Sequence, residues 1–393
     1  MSLIIVSEGL SGNGAVANVA WQQALSLSQN EPVLLISDGL SLDRRNYLRN
    51  NPSFLVFYYV KVPRFGFLRR FSHVSYHLSW IFLVLNVIRR KLYSSRSTVI
   101  CHSHPLAAAV ALRFGERVRL IMVSHGDIFF RPKGSYDPLV TMLYKISTPV
   151  AHRRASVSVA LSPEMAARIE SHGVSSRRIV LIPNGLKSSE IGLTEHFVTP
   201  SDHWFTLPLR LLFVGRLDPI KGLESLLEAL SVLQSLGLNV ILDIVGTSTH
   251  PRLEYLFNLA HDLDVDSRIN WLGSVPRGNL STLYLNSHVV VVPSIDDPLP
   301  TVVLESMACG RPVIGSSVGG IKYMVLNNKT GLLVPPNNSQ LLASAIEQVY
   351  FDRSWLLSAG HASRERASDF SWTKTSEKLT HVLNSSIYDD KQF

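Results

Sequence analysis

The sequence predicts an α/β protein with two doubly wound domains, each built on a parallel sheet. Short runs of β-branched and apolar residues alternate with helix-length segments along the chain, and this alternation is typical of such folds. The pattern restarts after an irregular stretch in the middle of the chain. At 393 residues the chain also exceeds the size at which a single hydrophobic core stops growing, which favours two domains.

The first half carries strand-like runs at residues 3–7, 33–37, 54–60, 98–101, 118–123 and 157–161. Segments 15–28 and 106–114 between them predict helices. Segment 74–88 is apolar but contains Ser75, His77, Ser79 and Asn86, and it is shorter than the roughly 18 residues that a membrane span needs. We expect a helix of a soluble domain there. The first residues lack the basic start of a signal peptide, so we expect none.

The second half carries strand-like runs at residues 209–214, 240–245, 269–272, 289–292, 312–315 and 331–334. A helix at 223–236 would place five leucines on one apolar stripe and end at Gly237. These leucines are Leu226, Leu227, Leu230, Leu233 and Leu236. Segment 187–207 has little periodicity, so we place domains at 1–190 and 208–370, a linker at 191–207 and a last helix in 371–393.

Composition restricts the classes of partner. The net charge is +8, with an isoelectric point near 9.5, which favours anionic ligands such as nucleotides or an acidic membrane surface. Signatures of nucleic-acid binding are missing from the sequence, so we expect no nucleic-acid partner. The two cysteines, Cys101 and Cys309, lie in or beside apolar runs and do not form a disulfide framework. A reducing cytoplasm fits this usage best.

Two sequence blocks in the second half contain charged residues that are candidates for ligand binding. The strand 209–214 runs into Gly215-Arg216-Leu217-Asp218-Pro219-Ile220-Lys221-Gly222, which sets two cations at the carboxyl end of a strand, where open parallel sheets bind ligands. Later, Asp297 and Glu305 flank the start of a helix that we expect near Pro300 or Thr301. Cations neutralise a pyrophosphate, and carboxylates accept hydrogen bonds from sugar hydroxyls. Together the blocks predict a nucleotide-sugar site.

These blocks resemble the retaining glycosyltransferases of family 4, which have the GT-B fold. The resemblance extends to Ile182-Pro183-Asn184-Gly185, Val318-Gly319-Gly320-Ile321 and the stretch from Lys329 to Pro336. It implies two Rossmann-like domains with parallel sheets that face each other across a cleft. It also implies a C-terminal helix that crosses back to the first domain, in 371–393.

The resemblance assigns roles residue by residue. Arg216 and Lys221 would grip the donor diphosphate, and Glu305 would hold the ribose. Asp297 would face the donor sugar, although the family usually has Glu at this position. The other donor-binding positions that we predict are Gly12, Asn13, Gly14, Gly215, Leu299, Pro300 and Thr301. Tyr323 stands where the family often has an acidic residue, so the resemblance does not identify the donor sugar.

Gly12-Asn13-Gly14 opens the first predicted helix, where backbone N–H groups favour phosphate. The family has a glycine-rich loop at this place, beside the donor phosphates. A competing interpretation takes Gly12, Gly14 and Ala17, with Asp38 after the second strand, as a dinucleotide fingerprint. Residues 8–11 lengthen the turn beyond what that fingerprint needs.

Histidines form a further candidate group. His125 follows an apolar strand, and the resemblance places it beside the donor sugar; a structural histidine on a loop is the plainer alternative. His102 and His104 are too few for a convincing metal site. Ser162 is a natural helix N-cap before Glu164. The family generally needs no metal, so we expect no metal and no cofactor besides the donor substrate, linked to UDP or GDP.

A basic, aromatic-rich region in the first half includes Arg64, Arg69 and Arg70. In GT-B enzymes this part faces the acceptor and often the membrane. Cations among aromatic rings suit anionic lipid headgroups, and a solvated basic face accounts for them equally well. The expected setting is the cytoplasm, with peripheral contact at the inner face of the membrane.

The sequence therefore predicts a retaining, metal-independent glycosyltransferase. Its partners would be a nucleotide sugar and a glycan or lipid-linked acceptor, in surface polysaccharide or glycolipid biosynthesis. A nucleotide-sugar epimerase or a phosphorylase of GT-B architecture remains open as an alternative. The alternative of an NAD(P)-dependent oxidoreductase is supported only by Gly12, Gly14 and Asp38. The alternative of a non-catalytic homologue is supported by the departures from the family pattern at Asp297 and Tyr323.

Overall fold

The structure is a computed structural model that describes residues 3–7, 15–29, 32–50, 55–60, 72–91, 97–126, 138–186 and 208–385. The chain divides into two compact units. One consists of Met1–Asn184 with Trp372–Phe393, and the other of Gly185–Ser371. The division falls after Asn184, and the linker that we expected at 191–207 lies outside the described residues.

The first unit holds a parallel sheet in the order β3-β2-β1-β4-β5-β6-β7. The strands are β1 (Leu3–Val6), β2 (Val33–Ser37), β3 (Leu55–Tyr59), β4 (Ser97–Cys101), β5 (Val118–Val123), β6 (Val157–Ala160) and β7 (Ile179–Leu181). The helices are α1 (Ala15–Leu27), α2 (Leu42–Asn50), α3 (Ser72–Lys91), α4 (His104–Phe114), α5 (Pro138–Arg154) and α6 (Pro163–Ser171). Strand β7 was not predicted, because three residues before a Pro-Asn-Gly turn carry too little periodicity.

Helices cover the sheet of the first unit with two apolar cores. In one core, α3, α4 and α5 pack on the sheet around the fully buried Trp80. In the other, α1 packs with the last helix, α14 (Trp372–Asn384), whose Leu379 and Val382 are buried. Arg119 of β5 fastens the end of α14, since its guanidinium donates to the carbonyls of Leu383, Val382 and Ser385 at 2.8, 2.9 and 2.9 Å.

The second unit holds a parallel sheet in the order β10-β9-β8-β11-β12-β13. Its strands are β8 (Leu209–Val214), β9 (Val240–Val245), β10 (Ile269–Gly273), β11 (Val289–Val292), β12 (Val313–Ser316) and β13 (Gly331–Val334). Its helices are α7 (Leu223–Ser235), α8 (His250–Asp262), α9 (Leu280–Asn286), α10 (Thr301–Ala308), α11 (Ile321–Met324), α12 (Ser339–Phe351) and α13 (Arg353–Ala367).

The leucine stripe of α7 corrects one expectation. Leu226, Leu227, Leu230 and Leu233 are fully buried, but Leu236 is 53% exposed. The helix ends one residue earlier, and Gly237 turns the chain with φ +72°, a conformation that favours glycine. The amide of Leu238 then bonds the carbonyl of Leu233 at 3.1 Å, so Leu238 rather than Leu236 covers the end of the helix.

Other expectations at helix ends hold with small shifts. Ser162 caps α6 by accepting a hydrogen bond from the Met165 amide at 3.3 Å. Helix α4 begins two residues earlier than predicted, because Pro105 fits its first turn. Both cysteines are free and buried. Among the described helices, α3 included, none combines the length and apolarity needed to cross a bilayer.

Candidate functional site

The predicted site residues of the second unit lie at the point where the strand order changes direction. Strand β8 pairs with β9 on one side and with β11 on the other. The chain therefore leaves β8 and β11 toward opposite faces of the sheet, which opens a crevice at their carboxyl ends. Arg216 and Lys221 lie on the loop after β8, and Asp297 lies on the loop after β11.

Close backbone contacts lock these two loops together. A Cβ on Gly222, which has φ +66°, would stand 2.1 Å from the carbonyl oxygen of Pro293. The amide of Ile295 also donates to the carbonyl of Ile220 at 2.8 Å. Only glycine allows this approach, so the glycine that follows Lys221 fixes the lysine relative to the loop after β11.

Lys221 and Asp297 form an ion pair. The Lys221 ammonium donates to Asp297 Oδ2, and the two side chains are 23% and 9% exposed. The resemblance assigns these residues to different parts of the donor, whereas the structure brings them into direct contact. Arg216 instead pairs with Asp218 at 2.8 Å, and its side chain is 65% exposed. The guanidinium of Arg216 is thus the solvent-facing cation of this loop.

Two glycines support the backbone of Asp297. The amide of Gly320 donates to the Asp297 carbonyl at 2.9 Å. A Cβ on Gly319, where φ is +47°, would stand 2.1 Å from that same oxygen. Leu299 and Pro300 are buried and lead into α10, whose N-cap is Pro300, as the sequence predicts. The loop therefore presents Asp297 immediately before a helix N-terminus.

Glu305 lies one turn into α10 and is only 4% exposed. Arg277 Nη2 donates to its Oε1 at 2.8 Å, and the Tyr284 hydroxyl donates to its Oε2 at 2.7 Å. Sequence reasoning missed both partners. No motif marks them, because Arg277 comes from the loop after β10 and Tyr284 from α9.

Tyr323, which departs from the family pattern, has a packing role within the second unit. Its ring meets Phe370 edge-on at 5.7 Å between centroids. The guanidinium of Arg366 lies over the Phe370 ring and donates to the Tyr323 carbonyl at 3.0 Å. An acid at this position would lose the ring contact.

In the first unit, His125 follows β5 and meets His102, which follows β4. Their rings stack, and His102 Nδ1 lies 2.8 Å from His125 Nε2, so one nitrogen carries the proton and the other accepts it. Burial lowers the pKa of His125 to about 4, and burial together with the charge of His125 lowers the pKa of His102 well below its usual value. Both rings are therefore neutral near pH 7.

A second histidine pair lies deeper in the same unit. His104 Nε2 and His152 Nε2 are 3.2 Å apart, and His152 Nδ1 is 2.9 Å from the Ser158 hydroxyl. Burial, with a smaller effect of His172, lowers the pKa of His152 to about 3. Within the described ranges no three His, Cys, Asp or Glu side chains converge as metal ligands.

Several predicted residues lie outside the described residues. These are Gly12, Asn13, Gly14, Arg64, Arg69 and Arg70. In the second unit, the structure places Gly215, Arg216 and Lys221 on the loop after β8, and Lys221 contacts Asp297 on the loop after β11. Leu299, Pro300, Thr301 and Glu305 follow Asp297 at the start of α10 and within it. His125 with His102 belongs to the first unit.

Comparison with known proteins identifies the sequence family and the fold of this chain. Residues 204–367 match the sequence model of glycosyl transferases group 1, and residues 18–190 match that of glycosyltransferase family 4. A sucrose-phosphate synthase from Thermosynechococcus elongatus superposes with a TM-score of 0.77 at 20% identity, covering 97% of this chain and 98% of that one. Anabaena HepE in complex with UDP gives 0.74 at 17% identity, with 98% and 99% covered. The fold is that of the GT-B glycosyltransferases.

The family follows from the two sequence matches. The chain belongs to the family 4 glycosyltransferases, as its motifs indicate. Among curated relatives, the D-inositol 3-phosphate glycosyltransferase of Corynebacterium glutamicum is 31% identical over 182 residues. That alignment covers 45% of this chain and 44% of the relative, so the match spans less than half of the relative's length.

Proposed function

We propose that this protein transfers a sugar from a nucleoside diphosphate sugar to a hydroxyl group of a glycan or glycolipid, with retention at the anomeric carbon. The observation that carries the proposal is the convergence of Arg216, Lys221, Asp297 and Glu305 on the carboxyl edge of the second sheet, around the change in strand order. The structure of Anabaena HepE with UDP supports a nucleotide ligand at such a fold.

The reaction breaks the bond between the anomeric carbon and the diphosphate oxygen and forms a bond to the acceptor oxygen. The acceptor oxygen attacks from the same face that the diphosphate leaves, and the leaving diphosphate takes the acceptor proton, so retention requires no protein nucleophile. Arg216 is exposed, and we propose that its guanidinium exchanges its pairing with Asp218 for the diphosphate, while Lys221 adds a second positive charge from the same loop. Such charges stabilise the negative charge that develops on the leaving group. We propose that they do so without a divalent cation.

The Lys221–Asp297 pair gives the two residues a linked role. When a diphosphate approaches, Lys221 gains a second anionic partner, and the Asp297 carboxylate becomes available to a sugar hydroxyl. His125, held neutral by burial and fixed by His102, is suited to a neutral hydrogen bond with the sugar. We assign Glu305 to the ribose hydroxyls.

Calorimetric titration tests the proposal. UDP, GDP and ADP, and their glucose conjugates, are titrated into wild type, Arg216→Ala and the control Lys329→Ala. Lys329 is an exposed cation on the turn before β13, at the opposite edge of the same sheet. We expect one nucleotide to bind, with affinity reduced at least about tenfold by Arg216→Ala and unchanged by Lys329→Ala. Unaffected binding in Arg216→Ala, or no binding to wild type, would refute the proposal.

A lipid-linked acceptor at the inner face of the membrane is supported by exposed apolar residues of the first unit. On α5, Leu139, Met142 and Ile146 are 46%, 58% and 60% exposed at helical spacing, and on α3 Phe82 is 66% exposed. Helix α3 ends with exposed Arg89, Arg90 and Lys91. Apolar side chains beside cations suit an anionic lipid surface.

Co-sedimentation with vesicles tests this part separately. We expect binding to phosphatidylglycerol vesicles, weak binding to phosphatidylcholine, and loss of binding in Phe82→Ser combined with Ile146→Ser. Phe351→Ser is the matched control, because Phe351 is 70% exposed in the second unit. Transfer assays that compare D-inositol 3-phosphate with a lipid-linked glycan distinguish a soluble acceptor from a membrane acceptor.

A further inference from the structure

The Glu305 carboxylate combines near-complete burial with one strong donor on each oxygen. It is 4% exposed, and it receives hydrogen bonds of 2.8 Å from Arg277 on Oε1 and of 2.7 Å from Tyr284 on Oε2. A carboxylate has about four lone-pair directions, two on each oxygen. The two protein donors therefore leave each oxygen able to accept one further hydrogen bond.

The two donors differ in how firmly they are held. Tyr284 is fully buried, and burial together with the nearby Glu305 charge raises the pKa of its hydroxyl well above the usual range, so it remains a donor. Its backbone is fixed in turn, because buried Arg311 donates to the carbonyls of Tyr284 and Leu285 at 3.0 and 2.8 Å. Arg277 supplies the compensating charge, without which a buried carboxylate is strongly disfavoured.

Arg277 is the most exposed of the three residues Arg277, Tyr284 and Glu305. Its side chain is 31% exposed, compared with 5% for its partner Glu305. It stands on the loop that leaves the carboxyl end of β10, and α10 starts from the loop that carries Asp297. The cluster thus belongs to the same edge of the sheet as the two cations of the loop after β8.

We infer that Arg277 and Tyr284 are positioning residues that hold the Glu305 carboxylate as a two-pronged acceptor for neighbouring hydroxyls of the donor's ribose. This inference rests on the proposed function. A vicinal diol offers two donors at the spacing of two carboxylate oxygens, and the protein donors prevent the carboxylate from rotating away. A consequence is discrimination against 2′-deoxyribonucleotides, since one acceptor would then lose its partner.

The test compares UDP, GDP and ADP with their 2′-deoxy counterparts in calorimetric titrations. Wild type should prefer the ribonucleotide that it binds by at least about tenfold, the size expected for one lost hydrogen bond to a charged group. In Arg277→Gln this preference should fall to within about threefold, while affinity for the 2′-deoxy form changes little. Tyr284→Phe, which keeps the buried ring, should have the same effect. Arg277→Lys, which keeps the positive charge, should retain more of the ribose preference than Arg277→Gln does.

Controls separate positioning from general damage. Lys329→Gln removes a cation from the same unit and should keep the full preference, and thermal midpoints report whether each variant is folded. The inference is overturned if Arg277→Gln and Tyr284→Phe keep the wild-type preference, or if they weaken both ligands equally. If wild type binds none of the ribonucleotides, the proposed function fails and this inference fails with it. Binding to wild type without any ribose preference overturns the inference alone.

Discussion

The Lys221 ammonium donates to the Asp297 carboxylate and thereby joins the loop after β8 to the loop after β11. These residues are 76 positions apart in the sequence. The contact spans the crevice formed by the change in strand order, so the two halves of the predicted donor site are one electrostatic unit before any ligand binds.

Removal of either partner should destabilise the second unit. We expect Lys221→Met and Asp297→Asn each to lower the free energy of unfolding, because the remaining polar group stays partly buried without its partner. In the double variant the loss should be smaller than the sum, with a coupling of about 0.5–3 kcal/mol in urea denaturation. The exposed Arg216–Asp218 pair is the control, with an expected coupling below about 1 kcal/mol. Equal coupling in both pairs would contradict the burial argument.

Gly319→Ala should displace the loop that carries Asp297. Its Cβ would stand 2.1 Å from the Asp297 carbonyl oxygen, and the backbone has φ +47°, so both contact and conformation are unfavourable. We expect nucleotide affinity to fall at least about tenfold and the thermal midpoint to decrease. Gly278→Ala is the control, because its Cβ would meet no atom within 4 Å. Similar behaviour of the two variants would show that the close approach is unimportant.

Histidines with lowered pKa values should make the first unit acid-sensitive. The folded pKa is about 4 for His125 and about 3 for His152, both below the ordinary value of 6.5. At pH values between each folded pKa and 6.5, the unfolded chain binds more protons than the folded chain. The free energy of unfolding therefore rises with pH in this range, and stability is lost as the pH falls from about 6.5 toward 4. Thermal melting from pH 8 to pH 4 measures this slope. We expect a shallower slope in His152→Asn and no change in the control His261→Asn, whose side chain is 83% exposed.

Arg119→Met should loosen the last helix. The substitution removes three hydrogen bonds to carbonyls at the end of α14, where positive charge also favours the helix dipole. We expect faster proteolysis of the C-terminal segment and a loss of about 2–3 kcal/mol in unfolding free energy. Arg113→Met is the control, because Arg113 is exposed near the end of α4. Equal resistance of the C-terminal segment to proteolysis in both variants would contradict the role of Arg119 in holding the end of α14.

Local patterns explain how much could be predicted from the sequence. The strand before Gly215, the start of α10 at Thr301 and the cap Ser162 depend on residues within a few positions of one another. The two parallel sheets also follow from local alternation, because a strand and its crossover helix are contiguous in the chain. The exposed position of Leu236 shows the limit of periodicity, since the turn at Gly237 ended the helix first.

The sequence by itself determined the α/β class, the motifs at the carboxyl ends of β8 and β11, and the family to which they belong. Only the tertiary structure decided which charged groups meet. Lys221 with Asp297, Arg277 and Tyr284 with Glu305, and His102 with His125 each join separate segments of the chain. Strand order and loop packing bring these segments together, and neither is encoded in local spacing. The physical reason is that propensity and periodicity act over a few residues, whereas pairing of buried charges depends on the whole sheet.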